Sequence, residues 1–382
     1  MSPPLRPEVV VDVFAGLQPA GGIGRYVRDL CAALQRPDAP PARFAYPGDW
    51  AEVAEARFAP ARRLPLPPWW QLRARYTLAT WLGGRFDRQF GWPAVFHSPV
   101  GYGPTFARTR LIAHLHDLTI FEHPEWHPFK ANQFLRVTVP YALRHAAVVL
   151  THSRHVASRA VASLGVAPER IATIPPPLGH GFHPVERARA ERHVRDRFAL
   201  EGPFLLHVGT FEPRKNHIRM IGAFETLCRA GFPGRLVLVG GDGWHMAPIL
   251  ARIEASSVRA RIVRLQGLAD DDLVALYGAC TMTLYPSLEE GFGMPLLESM
   301  ACGVACIASD VPALRELGGD VARQVPADDE PALAAAMIAL WRDEAERERL
   351  ARAGPARAAP YAFERWTARI FELYRRELAA AR

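Results

Sequence analysis

TMTLYPSLEEGFGMPLLESMACG, residues 281–303, decides how this chain folds. A β-branched and aromatic run, TMTLYPS, stops at a polar turn carrying Gly291 and Gly293. MPLLESMACG then brings apolar residues back in a helical pattern, with Pro295 suited to the first helical turn. Strand, glycine turn and helix together make the repeating half-unit of a parallel α/β sheet. The two glycines let the backbone approach a ligand closely, and the free amides of a helix start favour an anion. Glu290 precedes the turn, and Glu298 lies eight positions later inside the helix. One carboxylate can then meet the hydroxyls of a ligand while the other meets a second hydroxylated group. The plainer reading is a glycine turn whose acids favour the helix N-terminus.

A second segment of the same kind argues against that plainer reading. HVGTFEPRKN (207–216) follows the strand PFLLHVG and opens a helix running through Ile218, Ile221 and Phe224. Arg214 and Lys215 stand side by side at the helix start, where the dipole gives cations nothing. They call for an anionic partner, and a diphosphate suits both a guanidinium fork and a point charge. A solvated basic turn is the alternative. Both motifs fall at strand ends of one domain, where ligands of such sheets bind.

Working outward, short apolar strands alternate with helical patterns twice. VVVDVF (9–14), VFHSP (95–99), RLIAHLHD (110–117), AAVVLTHS (146–153) and RIATIP (170–175) make the first set. PFLLHVG (203–209), RLVLVGG (235–241), RIVRLQG (261–267), TMTLYPS (281–287) and VACIASD (304–310) make the second. Between them, residues 174–198 begin with prolines and glycines and turn into a charged helix, which reads as a linker with the boundary near Gly181. The expected organisation is an N-terminal domain over 1–180, a C-terminal domain over 181–362 and a final helix over 363–382. In that helix Trp366, Ile370, Phe371 and Tyr374 recur at helical spacing. A length of 382 residues fits two cores of ordinary size.

The first half carries weaker signals. In GGIGRYVRDLCAAL (21–34), Gly21, Gly22 and Gly24 form a second turn suited to an anion. In AHLHDL (113–118), His114 and His116 share one face, and His116 with Asp117 lies at the strand's end. A zinc set of His114, His116, His123 and His127 fits no standard spacing. Residues 62–90 mix arginines with Trp69, Trp70, Tyr76 and Trp81, a composition suited to an anionic membrane surface, to nucleic acid or simply to a core helix. Asp270, Asp271 and Asp272 read as N-cap and first-turn acids rather than metal ligands.

Taken together, the Gly209–Asn216 turn and the E-x7-E element of Glu290 and Glu298 closely resemble the donor domain of the family-4 retaining glycosyltransferases of the GT-B fold. The resemblance covers nearly the whole chain and includes GLADDDLVALYGA (267–279). It implies an α/β architecture of two Rossmann-like, doubly wound parallel-sheet domains facing a cleft, with the C-terminal helix returning to the N-terminal domain. By the resemblance Arg214 and Lys215 hold the donor diphosphate and Glu298 the ribose. Glu290, with the amides of Gly291, Phe292 and Gly293, holds the donor sugar. Gly22, Gly24, Gly209, Gly240 and Leu268 line the donor site, and His116 approaches the transferred sugar. Asp117, Trp69 and Trp70 fall on the acceptor side.

The implied activity is retaining, metal-independent hexosyl transfer from a nucleotide-sugar, with no cofactor, onto a saccharide or lipid-linked acceptor. The segments GGIGRYV, VFHSP, HDLTIFEHPEWH, THSRHV and EEGFGMP are similar to those of members that build bacterial surface polysaccharide from GDP-mannose or a mannose-derived deoxysugar. A UDP-sugar donor is the alternative. An epimerase or phosphorylase on the same fold, or a non-catalytic basic protein binding membrane or nucleic acid, are the rivals.

The bulk numbers fit. A net charge of +7 and a pI near 9.4 suit anionic partners, among which a membrane surface is considered and nucleic acid is not expected. Nothing resembles a leader or a spanning segment, so the expected location is cytoplasmic, with peripheral attachment to the inner face of the membrane considered. Five cysteines make no disulfide framework, and Cys302 and Cys306 read as small buried thiols.

Overall fold

The computed structural model describes residues 4–18, 22–82 and 85–381, without the side chains of 80–82. Gly21 and the side chain of Trp81 therefore lie outside the described residues. The chain forms two compact units, one of residues 1–124, 129–177 and 363–382, the other of 125–128 and 178–362.

Among the described residues the first unit holds seven parallel strands: β1 (Arg6–Asp12), β2 (Ala42–Pro47), β3 (Arg63–Leu66), β4 (Pro93–Ser98), β5 (Arg110–Leu115), β6 (Val148–Thr151) and β7 (Ile171–Thr173). Their order across the sheet is β3-β2-β1-β4-β5-β6-β7. The second unit holds six: β8 (Phe204–Val208), β9 (Arg235–Val239), β10 (Ile262–Leu265), β11 (Met282–Tyr285), β12 (Cys306–Ser309) and β13 (Arg323–Val325), in the order β10-β9-β8-β11-β12-β13. Each sheet reverses its winding beside its first strand, between β1 and β4 and between β8 and β11. Loops leaving two such strands part to opposite faces, and the crevice this opens at their carboxyl ends is where doubly wound sheets bind ligands.

Apolar runs form the central strands because both faces are covered. In β1, Val9 and Val11 enter the core on one face and Val10 the core on the other. In β8, Phe204 and Leu206 point to one side and Leu205 to the other. All ten expected strands form; β1 and β4 begin earlier than expected, at Arg6 and Pro93, and the others lie within their expected runs. β2, β3 and β13 were not expected. β3 and β13 are sheet edges, only four and three residues long, and Pro47 and Pro65 break the apolar pattern of β2 and β3.

The final helix, Phe363–Ala380, belongs to the first unit, as the resemblance implies. Trp366, Ile370, Phe371 and Tyr374 are buried in the same core as Val9, Val11 and Val27. The same buried face carries polar fastenings as well: Tyr374 Oη lies 2.5 Å from His97 Nδ1, and Arg110 reaches the buried Glu377 at 2.6 Å. The free cysteines Cys302 and Cys306 are buried, as expected of small thiols.

Candidate functional site

The site grows out of the β8–β11 switch point. After β8 the chain makes a short 3-10 turn, Pro213–Lys215, and Asn216 adopts a left-handed conformation (φ 58°) before the helix His217–Arg229. Arg214 and Lys215 thus sit in the turn ahead of the helix rather than in its first turn, a correction to the sequence reading. Asn216 fixes that turn, because its amide donates to Pro286 O at 2.9 Å and to Ala327 O at 2.8 Å. The amide of Leu288 donates to Arg214 O at 2.8 Å, so the loops after β8 and β11 are stitched together.

Charge completes the joint. Lys215 Nζ lies 2.5 Å from Glu290 Oε1, and Arg214 Nη1 lies 2.6 Å from Glu290 Oε2. Arg214 also meets Glu212 at 2.8 Å and donates to Glu289 O at 3.2 Å. Glu290 is buried, which alone would raise its carboxyl, but Arg214 and Lys215 outweigh burial and hold it down at about 2. The anionic partner that the adjacent cations called for is therefore present within the chain. Glu212, two residues before Arg214, completes a balance of two cations and two carboxylates that sequence reasoning did not foresee.

The glycines around this joint follow from close approach. A Cβ on Gly240 would lie 1.9 Å from Gly209 O, so the ends of β8 and β9 can touch only without one. Gly293 caps the helix Met294–Ala301 at φ 105°, a conformation open chiefly to glycine. Pro295 sits in that helix's first turn, as expected, while Phe292 is buried and edges against Tyr361 at 5.5 Å. Glu298 is buried within the helix and accepts from Tyr277 Oη at 3.1 Å. The structure thus groups Gly209, Arg214, Lys215, Gly240 and Glu290, and gives Glu298 its own setting beside Tyr277. Leu268 packs at the edge of the core. The N-cap expectation for the aspartates fails. Ala269 holds that position, the three acids fill the first turn, and Asp272 pairs with His193 at 2.8 Å.

In the first unit, Gly22 and Gly24 open the helix Gly22–Leu34 after β1. His116 follows β5. Its Nε2 lies 2.5 Å from Pro99 O and its Nδ1 3.0 Å from His152 Nε2, a partner that sequence spacing did not reveal. Asp117 accepts from the amide and hydroxyl of Thr119 at 3.0 and 2.7 Å, so it shapes the turn after β5. Trp69 and Trp70 do not act as a pair. Trp69 stacks on Phe14 at 4.7 Å, whereas Trp70 is 69% exposed.

Glu290→Gln leaves two buried cations short of their counter-charge, and we expect it to destabilise the second unit by about 3–5 kcal/mol at neutral pH. Because the folded-state carboxyl titrates at about 2 rather than 4.5, the wild type has this stabilisation above pH 4.5 and loses it as pH falls towards 2. Urea unfolding of both proteins should show the gap narrowing over that interval, and a gap that does not depend on pH would contradict the assignment.

Comparison with known proteins extends this picture beyond the site. Residues 189–357 match the model of "Glycosyl transferases group 1", and residues 21–177 that of "Glycosyl transferase 4-like domain". The chain is similar to the O-antigen chain mannosyltransferase B of Escherichia coli, 30% identical over 285 residues, which are 74% of each protein. It is 36% identical over 150 residues to a GDP-mannose-dependent alpha-(1-6)-phosphatidylinositol dimannoside mannosyltransferase of Mycobacterium tuberculosis, covering 38% of this chain and 37% of that one. Among solved structures, Anabaena HepE in complex with UDP and glucose superposes with a TM-score of 0.73 at 18% identity, over 96% of this chain and 98% of its own. The reversed winding of both sheets, the cation-bearing turn after β8 and the E-x7-E element after β11 agree with these matches, and the chain belongs to the family-4 glycosyltransferases of the GT-B fold.

Proposed function

We propose that this glycosyltransferase transfers mannose, or a deoxysugar derived from it, from a GDP-sugar onto a growing bacterial surface polysaccharide. The observation carrying the donor site is the Arg214–Lys215–Glu290 joint at the switch point of the second sheet. In this reading the incoming diphosphate takes over the two cations, and Glu290, relieved of them, turns to the sugar hydroxyls. Burial makes the exchange effective, since the site's charges are poorly screened by water. Glu298, anchored by Tyr277 within its helix, is the acceptor for the ribose hydroxyls.

Transfer then proceeds with retention. Bond breaking puts negative charge on the leaving diphosphate, where Arg214 and Lys215 stabilise it. A leaving oxygen takes the acceptor hydroxyl's proton on the same face of the sugar. The cations do what a divalent ion would otherwise do for the leaving group, so no metal is required at the diphosphate. The ring nitrogens of His116 face Pro99 O and His152 Nε2, which favours a positioning role through the main chain over proton transfer. The choice of mannose rests on the similarity to the E. coli and mycobacterial mannosyltransferases. The charge joint itself reads only a diphosphate.

An exposed face of the first unit supports contact with a membrane that carries a lipid-linked acceptor. Trp70, Leu78, Phe129 and Val137 are 69%, 58%, 75% and 40% exposed. They lie on the helices Trp69–Leu82 and Phe129–His145, among the exposed Arg73, Arg75, Lys130 and Arg136. Exposed apolar anchors with cations on the same two helices suit an anionic lipid surface. Among the described residues no helix is long and apolar enough to cross a membrane.

Two measurements check these readings. Turnover assayed across GDP-, UDP- and dTDP-sugars should favour a GDP-hexose, and Lys215→Ala should lower it by about 10² or more with the fold intact; preference for a UDP-sugar would overturn the donor, and unchanged turnover the role of Lys215. Flotation with anionic vesicles should capture the wild type and weaken in a Trp70→Ala/Phe129→Ala variant or at high salt. Equal flotation in all of these would remove the membrane face.

A further inference from the structure

Beneath the carboxyl ends of β4, β5 and β6 the first unit gathers His114, His116 and His152 around Tyr26, with His97 against His114 at 5.4 Å. His116 Nε2 lies 2.5 Å from Pro99 O, and His152 Nδ1 lies 3.2 Å from Ile174 O. A carbonyl oxygen can only accept, so each of these nitrogens carries the ring hydrogen. In a neutral ring the other nitrogen is then a bare lone pair. Those two lone pairs, His116 Nδ1 and His152 Nε2, face each other at 3.0 Å. Three contacts need three hydrogens, and two neutral rings bring only two. Something positive belongs between them.

His114 is the second, independent observation. It is fully buried, and neither ring nitrogen has a hydrogen-bond partner. Its ring centre lies 4.8 Å from that of His116 and 4.7 Å from that of His152. The three histidines each offer a ligand atom within 4.8 Å of the others, and among the described residues no other such group occurs. The buried hydroxyl of Tyr26 also lacks a partner, and its ring packs edge-on to His114 at 4.8 Å and to His152 at 5.2 Å.

We propose that His114, His116 and His152 bind a divalent transition-metal ion of the zinc class. Imidazole donors without thiolate or several carboxylates suit zinc, cobalt, nickel or copper, and oxygen-seeking calcium and magnesium poorly. Metal-bound histidines characteristically donate their second ring N–H to a backbone carbonyl, which is what His116 does to Pro99 and His152 to Ile174. Two nitrogens on one ion at about 2.0–2.1 Å each stand about 3.4 Å apart in a tetrahedral site, close to the 3.0 Å between His116 Nδ1 and His152 Nε2, while the three donor atoms together lie within 4.8 Å and must draw in on binding. His114 turns inward to complete the set, and its ring has no hydrogen bond to lose in doing so. The competing occupant is a shared proton, which would leave an imidazolium in a buried cluster at the cost of desolvation.

The ion ties the end of β5 to the end of β6 and holds the ring that precedes Asp117. It revises the expectation of a metal-free protein without touching the diphosphate site, and it rests on the first unit alone, independently of the donor reading. The sequence had set aside a zinc group of His114, His116, His123 and His127. Here His152, 36 residues beyond His116, supplies the missing donor.

The test uses the full chain without a purification tag, stripped with a chelator and then equilibrated with zinc or cobalt alone. Metal content after dialysis should reach one ion per chain, and cobalt should give the visible absorption of a low-coordinate nitrogen site. His152→Ala and His114→Ala, each checked for folding by circular dichroism, should bind at least about tenfold more weakly. Substoichiometric binding by the wild type, or equal binding by the wild type and either folded variant, would overturn the site in favour of a shared proton.

Discussion

Two cations on consecutive residues of a tight, buried turn cannot stand without an anion. Lys215 is 8% exposed, and removing an ammonium from water costs several kcal/mol unless charge compensates it. Glu290 supplies that compensation from across the switch point, 75 residues further along the chain. Much of the second unit can be read as the means of bringing these groups together. Parallel pairing of β8 and β11 aligns their carboxyl ends, and Asn216 fastens the turn to Pro286 and Ala327. Glycine at 240 allows the backbone at Gly209 to close in, and glycine at 209 and 293 leaves room for the side chains of His207 and Leu314.

The same pairing explains how one site can be both stable and receptive. A buried ion pair contributes little net stability compared with apolar packing, while breaking it is costly. In the function proposed above, its value lies in keeping Arg214 and Lys215 placed and dehydrated, so that an entering diphosphate would exchange one anion for another. The first unit meets the same constraint in reverse. Its histidine cluster presents lone pairs rather than charges, and calls for a cation where the second unit calls for an anion.

How far the sequence could be read follows from where the information lies. Central strands were legible because burial on both faces demands continuous apolar runs, as in FLLHV and RLVLV. The edge strands β3 and β13 escaped notice because a short edge needs no such run and β3 tolerates a proline. Pro295 and Glu298 took their expected places because local helix chemistry determines them. The pairing of Glu290 with Arg214 and Lys215 is a property of tertiary structure, and two motifs read separately gave each a separate ligand. His152 was hidden for the same reason: strand pairing, not spacing in the chain, brings it beside His116. The tryptophan-rich segment divided, with Trp69 packed on Phe14 and Trp70 left exposed, because neighbours on a helix point in different directions.

The central claim, that Glu290 holds the cations until a diphosphate replaces it, is tested most directly by calorimetric titration of GDP into the wild type, Glu290→Gln and Arg214→Ala. If the carboxylate competes with the diphosphate, Glu290→Gln binds GDP about tenfold more tightly than the wild type, a gain of about 1.4 kcal/mol, while Arg214→Ala binds it more weakly. A loss of affinity in Glu290→Gln equal to that in Arg214→Ala would contradict the account, because it would make the carboxylate a support for the bound diphosphate and not its rival.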